Sequence, residues 1–198
     1  MRLYLGSAGT AGLVDFVDGR RLAYVPTAGK PLADRSFADE SRASLRAVGF
    51  EVADLDIDGA TTDEMGAALE TADAVFVEGG SPFFLLQAIR ESGFDRIVAD
   101  AVRGGLPYMG MSAGAVVAGP DIEPLSTTSN TSYGPRLTST AALGLVDFVV
   151  YPHYDIPERA APFPDLLARY GGRFRLLPLV DGQAVVVDEG GTRIVTPG

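Results

Sequence analysis

Short apolar runs alternate along this chain with longer segments whose apolar residues recur at three- and four-residue intervals. The runs RLYLG (2–6), RLAYVPT (21–27), EVADLDI (51–57), DAVFVEG (73–79), PYMGM (107–111) and DFVVYP (147–152) predict strands. Between them, residues 34–49, 61–72, 81–93 and 94–105 carry helical periodicity. Gly49 and Gly93 sit where helices should stop, and TTDE at 61–64 reads as an N-cap followed by acids in the first turn. Strands that are apolar throughout and alternate with helices imply a mostly parallel sheet covered on both faces, an α/β three-layer fold. The last quarter reads differently. FRLLPL, QAVVVDE and TRIVTPG are short β-type runs separated by VDG and GG, which predicts small antiparallel C-terminal strands at a sheet edge. Residues 120–144 have no clear period, and a long loop inside a compact domain is usually functional.

Composition narrows the reading. A chain of 198 residues fits one domain spanning 1–198. It contains no cysteine, which excludes disulfides and thiolate metal sites and suits the cytosol. No apolar run is long enough to span a membrane, and glycine interrupts MRLYLGSAGTAG too early for a signal peptide. A formal net charge of −10 argues against a nucleic-acid partner. A cytoplasmic domain is the expectation.

The candidate chemistry lies in LPYMGMSAGAVVAGP, residues 106–120. Gly110-Met111-Ser112-Ala113-Gly114 matches G-x-S-x-G, after a predicted strand and before a helix. Small neighbours permit the sharp turn that exposes a serine Oγ, and the Ala113 N–H would face a developing oxyanion. A serine hydroxyl needs a base, and the chain has one histidine, His153, at the end of a predicted strand. Gly79 and Gly80 end another strand, where backbone N–H groups suit a second oxyanion donor or a plain βα turn.

Together, LAYVPTAG, VEGGSPFFLLQAIRESG, GLPYMGMSAGAVVAGPDIEP and LGLVDFVVYPHY resemble the peptidase E and cyanophycinase family of serine peptidases, over roughly residues 20–190. The resemblance implies a class I glutamine amidotransferase-like fold and hydrolysis of small peptides, in many members dipeptides with N-terminal aspartate. It implies Ser112 as nucleophile, His153 as base and Gly80 with Ala113 as oxyanion donors. Members usually carry an aspartate in the loop after the serine; here that loop reads LSTTSNTSYG, without a carboxylate. Glu123 is the favoured replacement, then Asp155, with Asn130 as a neutral orienter of the ring and Asp121 as a turn cap. Arg159, and secondarily Arg136, are candidates to read an acidic substrate.

The leading expectation is a serine exopeptidase or dipeptidase working through an acyl-enzyme, without metal or organic cofactor. Two alternatives stand beside it: a family member weakened in catalysis that binds or interacts, and a small esterase. Phe83, Phe84 and Phe163 fit either the core or a homodimer interface, and the core is the commoner place for such residues.

Overall fold

Successive residues of the central strands feed two different hydrophobic clusters. Leu3 and Leu5 belong to one, and Tyr4 between them belongs to the other; Val75 and Val77 lie opposite Phe76 in the same way. This period-two division is what a sheet covered on both faces requires. The computed structural model describes residues 1–197. Its central sheet contains β1 (Leu3–Gly6), β2 (Arg21–Val25), β3 (Glu51–Asp54), β4 (Ala74–Val77) and β5 (Tyr108–Met111). A separate pair, β6 (Phe148–Tyr151) and β7 (Arg175–Pro178), lies outside that sheet, which β8 (Ala184–Asp188) and β9 (Gly191–Val195) complete. The order is β3-β2-β4-β5-β1-β8-β9. The first five run parallel, whereas β8 is antiparallel to both β1 and β9.

The helices are α1 (Leu13–Phe16), α2 (Ser36–Ala47), α3 (Thr62–Thr71), α4 (Pro82–Ser92), α5 (Phe94–Arg103), α6 (Ala113–Val116), α7 (Pro157–Ala160) and α8 (Phe163–Tyr170). Buried residues of α3 to α6 join the Leu3–Leu5 cluster, while Leu13 and Phe16 of α1 and Leu45 of α2 join the Tyr4 cluster. The result is the expected three-layer α/β fold, with helix ends close to where their signals lie. The Thr61 hydroxyl accepts from Glu64 N–H while the Glu64 carboxylate accepts from Thr61 N–H, a complete capping box. Gly93 takes φ 77° between α4 and α5, a conformation that costs glycine little. Phe83 is buried in the core, and Phe163 packs against Tyr151 and Tyr154 at ring separations of 5.1 Å each. Phe84, on the same helix as Phe83, is partly buried.

One expectation is corrected by the strand pairing. FRLLPL supplies β7, which does not join an antiparallel meander but runs parallel to β6, with Tyr151 opposite Pro178. Antiparallel neighbours bring a chain back toward its starting end. Parallel ones place both carboxyl ends side by side. The segments leaving β6 and β7 therefore emerge together, and Leu179 N–H donates to Tyr151 O while Tyr154 N–H donates to Leu179 O, each at 2.9 Å. Among the described residues, no helix is long and apolar enough to cross a membrane.

Candidate active site

Ser112 closes β5 and caps α6, at φ 48° and ψ −107°. Its backbone is clamped from both sides: Ser112 N–H donates to Gly6 O and Val116 N–H donates to Ser112 O, both at 2.9 Å. The two motif glycines are demanded by close approach. A Cβ on Gly110 would lie 2.5 Å from Gly114 O, and one on Gly114 would lie 2.1 Å from Val77 O, so α6 can fold back over β5 and β4 only without side chains there.

His153 follows β6 and has φ 61°. Among the described residues, Ser112 and His153 are the non-glycine residues with positive φ, and they touch each other. Ser112 Oγ lies 3.0 Å from His153 Nε2. Strain of this kind costs on the order of 1–3 kcal/mol per residue and persists where surrounding structure over-determines it, typically at working sites.

On the far side of the ring, His153 Nδ1 lies 2.7 Å from Asp181 Oδ1. Asp181 sits in the turn between β7 and β8, before Gly182 at φ 83°. The parallel pairing of β6 with β7 brings it there. Two further bonds hold Asp181 in place, one on its carboxylate and one on its backbone. Ser7 Oγ donates to Asp181 Oδ1 at 2.7 Å, and the Asp155 carboxylate accepts from Asp181 N–H at 3.0 Å.

The other carboxylates and amides expected near the ring lie elsewhere. Glu123 opens a short 3₁₀ turn (Glu123–Thr127), and the Asp121 carboxylate just before it accepts from Glu123 N–H at 2.8 Å; the Glu123 side chain pairs with Arg173 at 3.0 Å rather than with His153. Asn130 caps the next 3₁₀ turn by accepting from Ser132 N–H at 3.0 Å, which commits its side-chain oxygen locally. Asp155 reaches the backbone of Asp181 and not the imidazole. Arg136 forms a two-pronged pair with Glu91, at 2.6 and 2.7 Å. Asp181 is the residue that sequence reasoning missed. Its only signal was an aspartate in a V-D-G turn, which reads as turn chemistry.

The Glu78-Gly79-Gly80 turn forms the adjacent wall. A Cβ on Gly79 would lie 3.2 Å from Ser112 Cβ. Gly80 has φ 140°, and a Cβ on it would fall 2.3 Å from Ala28 O, so only glycine fits. Glu78 is 2% exposed. Its carboxylate accepts from Tyr24 Oη–H and from Gly79 N–H, both at 2.7 Å. Burial holds its pKa above the ordinary carboxylate value, and these two donors oppose that shift. Ser81 N–H donates to Ala28 O. Gly79 and Ser81 N–H are so engaged, whereas Gly80, which lines the cleft, has an N–H unclaimed by the surrounding backbone, as is Ala113 N–H in the first turn of α6.

A cleft of about 530 Å³ opens over Ser112 and His153. Phe37, Glu40, Ser41 and Ser44 of α2 form one wall, and Arg159 of α7 forms part of another. Arg159 has no ion pair among the described residues.

A serine, a histidine and a carboxylate in line, beside unclaimed backbone donors, can perform acyl transfer. Comparison with known proteins gives the same class. The model of peptidase family S51 matches residues 10–195. Lmo0363, an uncharacterized peptidase of Listeria monocytogenes, is 29% identical over 171 residues, covering 86% of this chain and 83% of the relative. Peptidase E of Streptomyces coelicolor is 43% identical over 141 residues, covering 71% of this chain and 54% of that protein. The crystal structure of a Listeria monocytogenes EGD-e protein assigned as a peptidase E superimposes with a TM-score of 0.85 at 26% identity, covering all of this chain (100%) and 98% of the other. A family model that spans nearly the whole chain, and a fold shared from end to end, identify the chain as a member of peptidase family S51, the peptidase E family of serine peptidases.

Proposed function

We propose that this serine peptidase cleaves short peptides as a dipeptidase-like exopeptidase, with Ser112 as nucleophile on a nucleophile elbow, His153 as general base and Asp181 as the orienting acid. The observation that carries the reading is the unbroken line from Ser112 Oγ through the imidazole to Asp181, at 3.0 and 2.7 Å. An ionised Asp181 can only accept, so Nδ1 carries the ring proton and Nε2 presents a lone pair to the serine hydroxyl. Ser112 Oγ attacks the scissile carbonyl carbon as its proton passes to Nε2. The oxyanion that forms accepts from Gly80 N–H and Ala113 N–H. Collapse breaks the C–N bond, Nε2 protonates the leaving amine, and an acyl-Ser112 remains. Water, deprotonated by the same nitrogen, then hydrolyses the ester. Asp181 supplies the carboxylate that the loop after the serine lacks, which supports turnover over a role in binding alone.

Gly80→Ala tests the oxyanion assignment. Its Cβ cannot occupy the site next to Ala28 O without moving the turn. Turnover is expected to fall by about 10²-fold or more. Wild-type turnover in this variant would sink the role of the Gly80 N–H.

Substrate choice rests on Arg159. A guanidinium with no protein carboxylate, lining the cleft that contains Ser112, suits an acidic side chain on the first residue of the substrate, as in N-terminal aspartyl dipeptides. A panel of Asp-X, β-Asp-X and neutral dipeptides, assayed with wild type and Arg159→Gln, tests this. The variant is expected to raise KM for aspartyl substrates by about 10- to 100-fold, the worth of one charged hydrogen bond, and to spare neutral ones. A uniform loss across the panel would mean that Arg159 supports the cleft without reading the substrate.

A further inference from the structure

Ser7 is 0% exposed and follows β1 directly, yet the acyl-transfer scheme gives its hydroxyl no task. It makes two short bonds, both to the groups that hold the base. His153 N–H donates to Ser7 Oγ at 2.7 Å, and Ser7 Oγ donates to Asp181 Oδ1 at 2.7 Å. The direction of each is forced. A backbone N–H can only donate, so the hydroxyl oxygen accepts there, and its single proton goes to the carboxylate. Asp181 Oδ1 thus receives two donors on one oxygen, Ser7 Oγ–H and His153 Nδ1–H.

We infer that Ser7 is the positioning residue of this site: one hydroxyl bolts the strained backbone of His153 to the carboxylate that orients its ring. The inference rests on the proposed roles of Ser112, His153 and Asp181 and extends them. Two features strengthen it. His153 holds φ 61°, a conformation that needs an outside restraint, and its N–H bond to Ser7 is such a restraint. The residue before Ser7 performs the matching service for the nucleophile, since Gly6 O accepts from Ser112 N–H at 2.9 Å. The end of β1 therefore fixes both partners of the Ser112–His153 contact, one through a carbonyl and one through a hydroxyl. Ser7 N–H in turn donates to Gln183 O at 2.9 Å, which ties the Asp181 turn to the same strand end.

Without the hydroxyl, His153 N–H loses its acceptor and Asp181 loses one of its donors, so the ring loses alignment without losing its base. Ser7→Ala is expected to slow fluorophosphonate labelling of Ser112 by about 10- to 100-fold. The chain's one histidine makes a second readout direct, because ¹⁵N-histidine labelling gives a single imidazole spectrum. The wild type should show the Nδ1–H tautomer with a proton shifted far downfield, and Ser7→Ala should weaken that signal and admit the other tautomer. A double-mutant cycle separates positioning from general support. In an Asp181→Asn background, Ser7→Ala should change labelling by less than about 3-fold, whereas independent effects would multiply. Ser7→Cys, which keeps a weak donor, should fall between, and it carries the test if the alanine variant does not fold. An imidazole spectrum unchanged by Ser7→Ala and Ser7→Cys, or losses that multiply with Asp181→Asn, would overturn the role of Ser7. A folded wild type whose Ser112 ignores the reagent would instead overturn the nucleophile assignment, and the imidazole spectrum would still read Ser7.

Discussion

Replacing Asp181 by asparagine is expected to lower kcat by about 10⁴-fold while leaving the fold intact. The side chain is the partner of His153 Nδ1 at 2.7 Å, and two neighbours fix its position, Ser7 Oγ–H on the carboxylate and Asp155 on the backbone N–H. An amide of the same shape can still accept through its oxygen. It cannot stabilise the imidazolium that the proposed mechanism forms as Ser112 loses its proton, and its NH₂ can face Nδ1 and favour the wrong tautomer. Glu123→Gln is the informative control. That carboxylate is paired with Arg173, whose side chain is 60% exposed, and such surface pairs contribute about 0–1 kcal/mol. Activity should be within a few-fold of wild type. Asp155→Ala should lie between the two, because it removes the acceptor of Asp181 N–H and loosens the turn that presents Asp181 without touching the ring. The measurement is kcat/KM for one dipeptide across the three variants. A large loss in Glu123→Gln with a small one in Asp181→Asn would sink the assignment.

The contact between Ser112 and His153, the proposed nucleophile and base, was legible in the sequence because local signals marked both residues. Gly110 to Gly114 spell out the steric needs of a tight strand-to-helix turn, and the chain's one histidine follows an apolar strand, at the sheet rim where a base for Ser112 is needed. The layered sheet was legible for a similar reason, since apolar runs buried on both faces leave a pattern that survives without coordinates. Asp181 was not legible, and the cause is strand direction. Periodicity marks FRLLPL as a strand but says nothing about which neighbour it joins or which way it runs. Read as part of an antiparallel meander, it gives the V-D-G turn no route to the histidine. Paired parallel to β6, it delivers Asp181 to His153 across 28 residues of chain. Glu123 is the better candidate by its nearness to Ser112 in sequence, yet its side chain pairs with Arg173. Ser7 left still less trace. Its role depends on meeting a backbone N–H 146 positions away.

Ser112→Gly is expected to remove about 10⁶-fold of kcat and yet to make the protein more stable than Ser112→Ala. The activity loss follows from deleting the oxygen proposed to attack the substrate. The stability change follows from the backbone. At φ 48° and ψ −107° any side chain is strained, by on the order of 1–3 kcal/mol, and alanine keeps that strain in full. Glycine relieves it and gives back roughly 0.5–1 kcal/mol of chain entropy, which leaves a net gain of about 1 kcal/mol. For a chain of this size that is roughly a 2–4 °C rise in Tm. The turn itself should persist, because its bonds run through backbone atoms, from Ser112 N–H to Gly6 O and from Val116 N–H to Ser112 O. Thermal unfolding of wild type and both variants, with fluorophosphonate labelling of the wild type as the activity reference, makes the comparison. Equal Tm values for Ser112→Gly and Ser112→Ala would show that the turn stores no strain at Ser112, and the small residues around it would then serve close packing alone. A higher Tm in an inert Ser112→Gly protein would mean that stability is given up at this one residue to hold a hydroxyl within 3.0 Å of His153 Nε2.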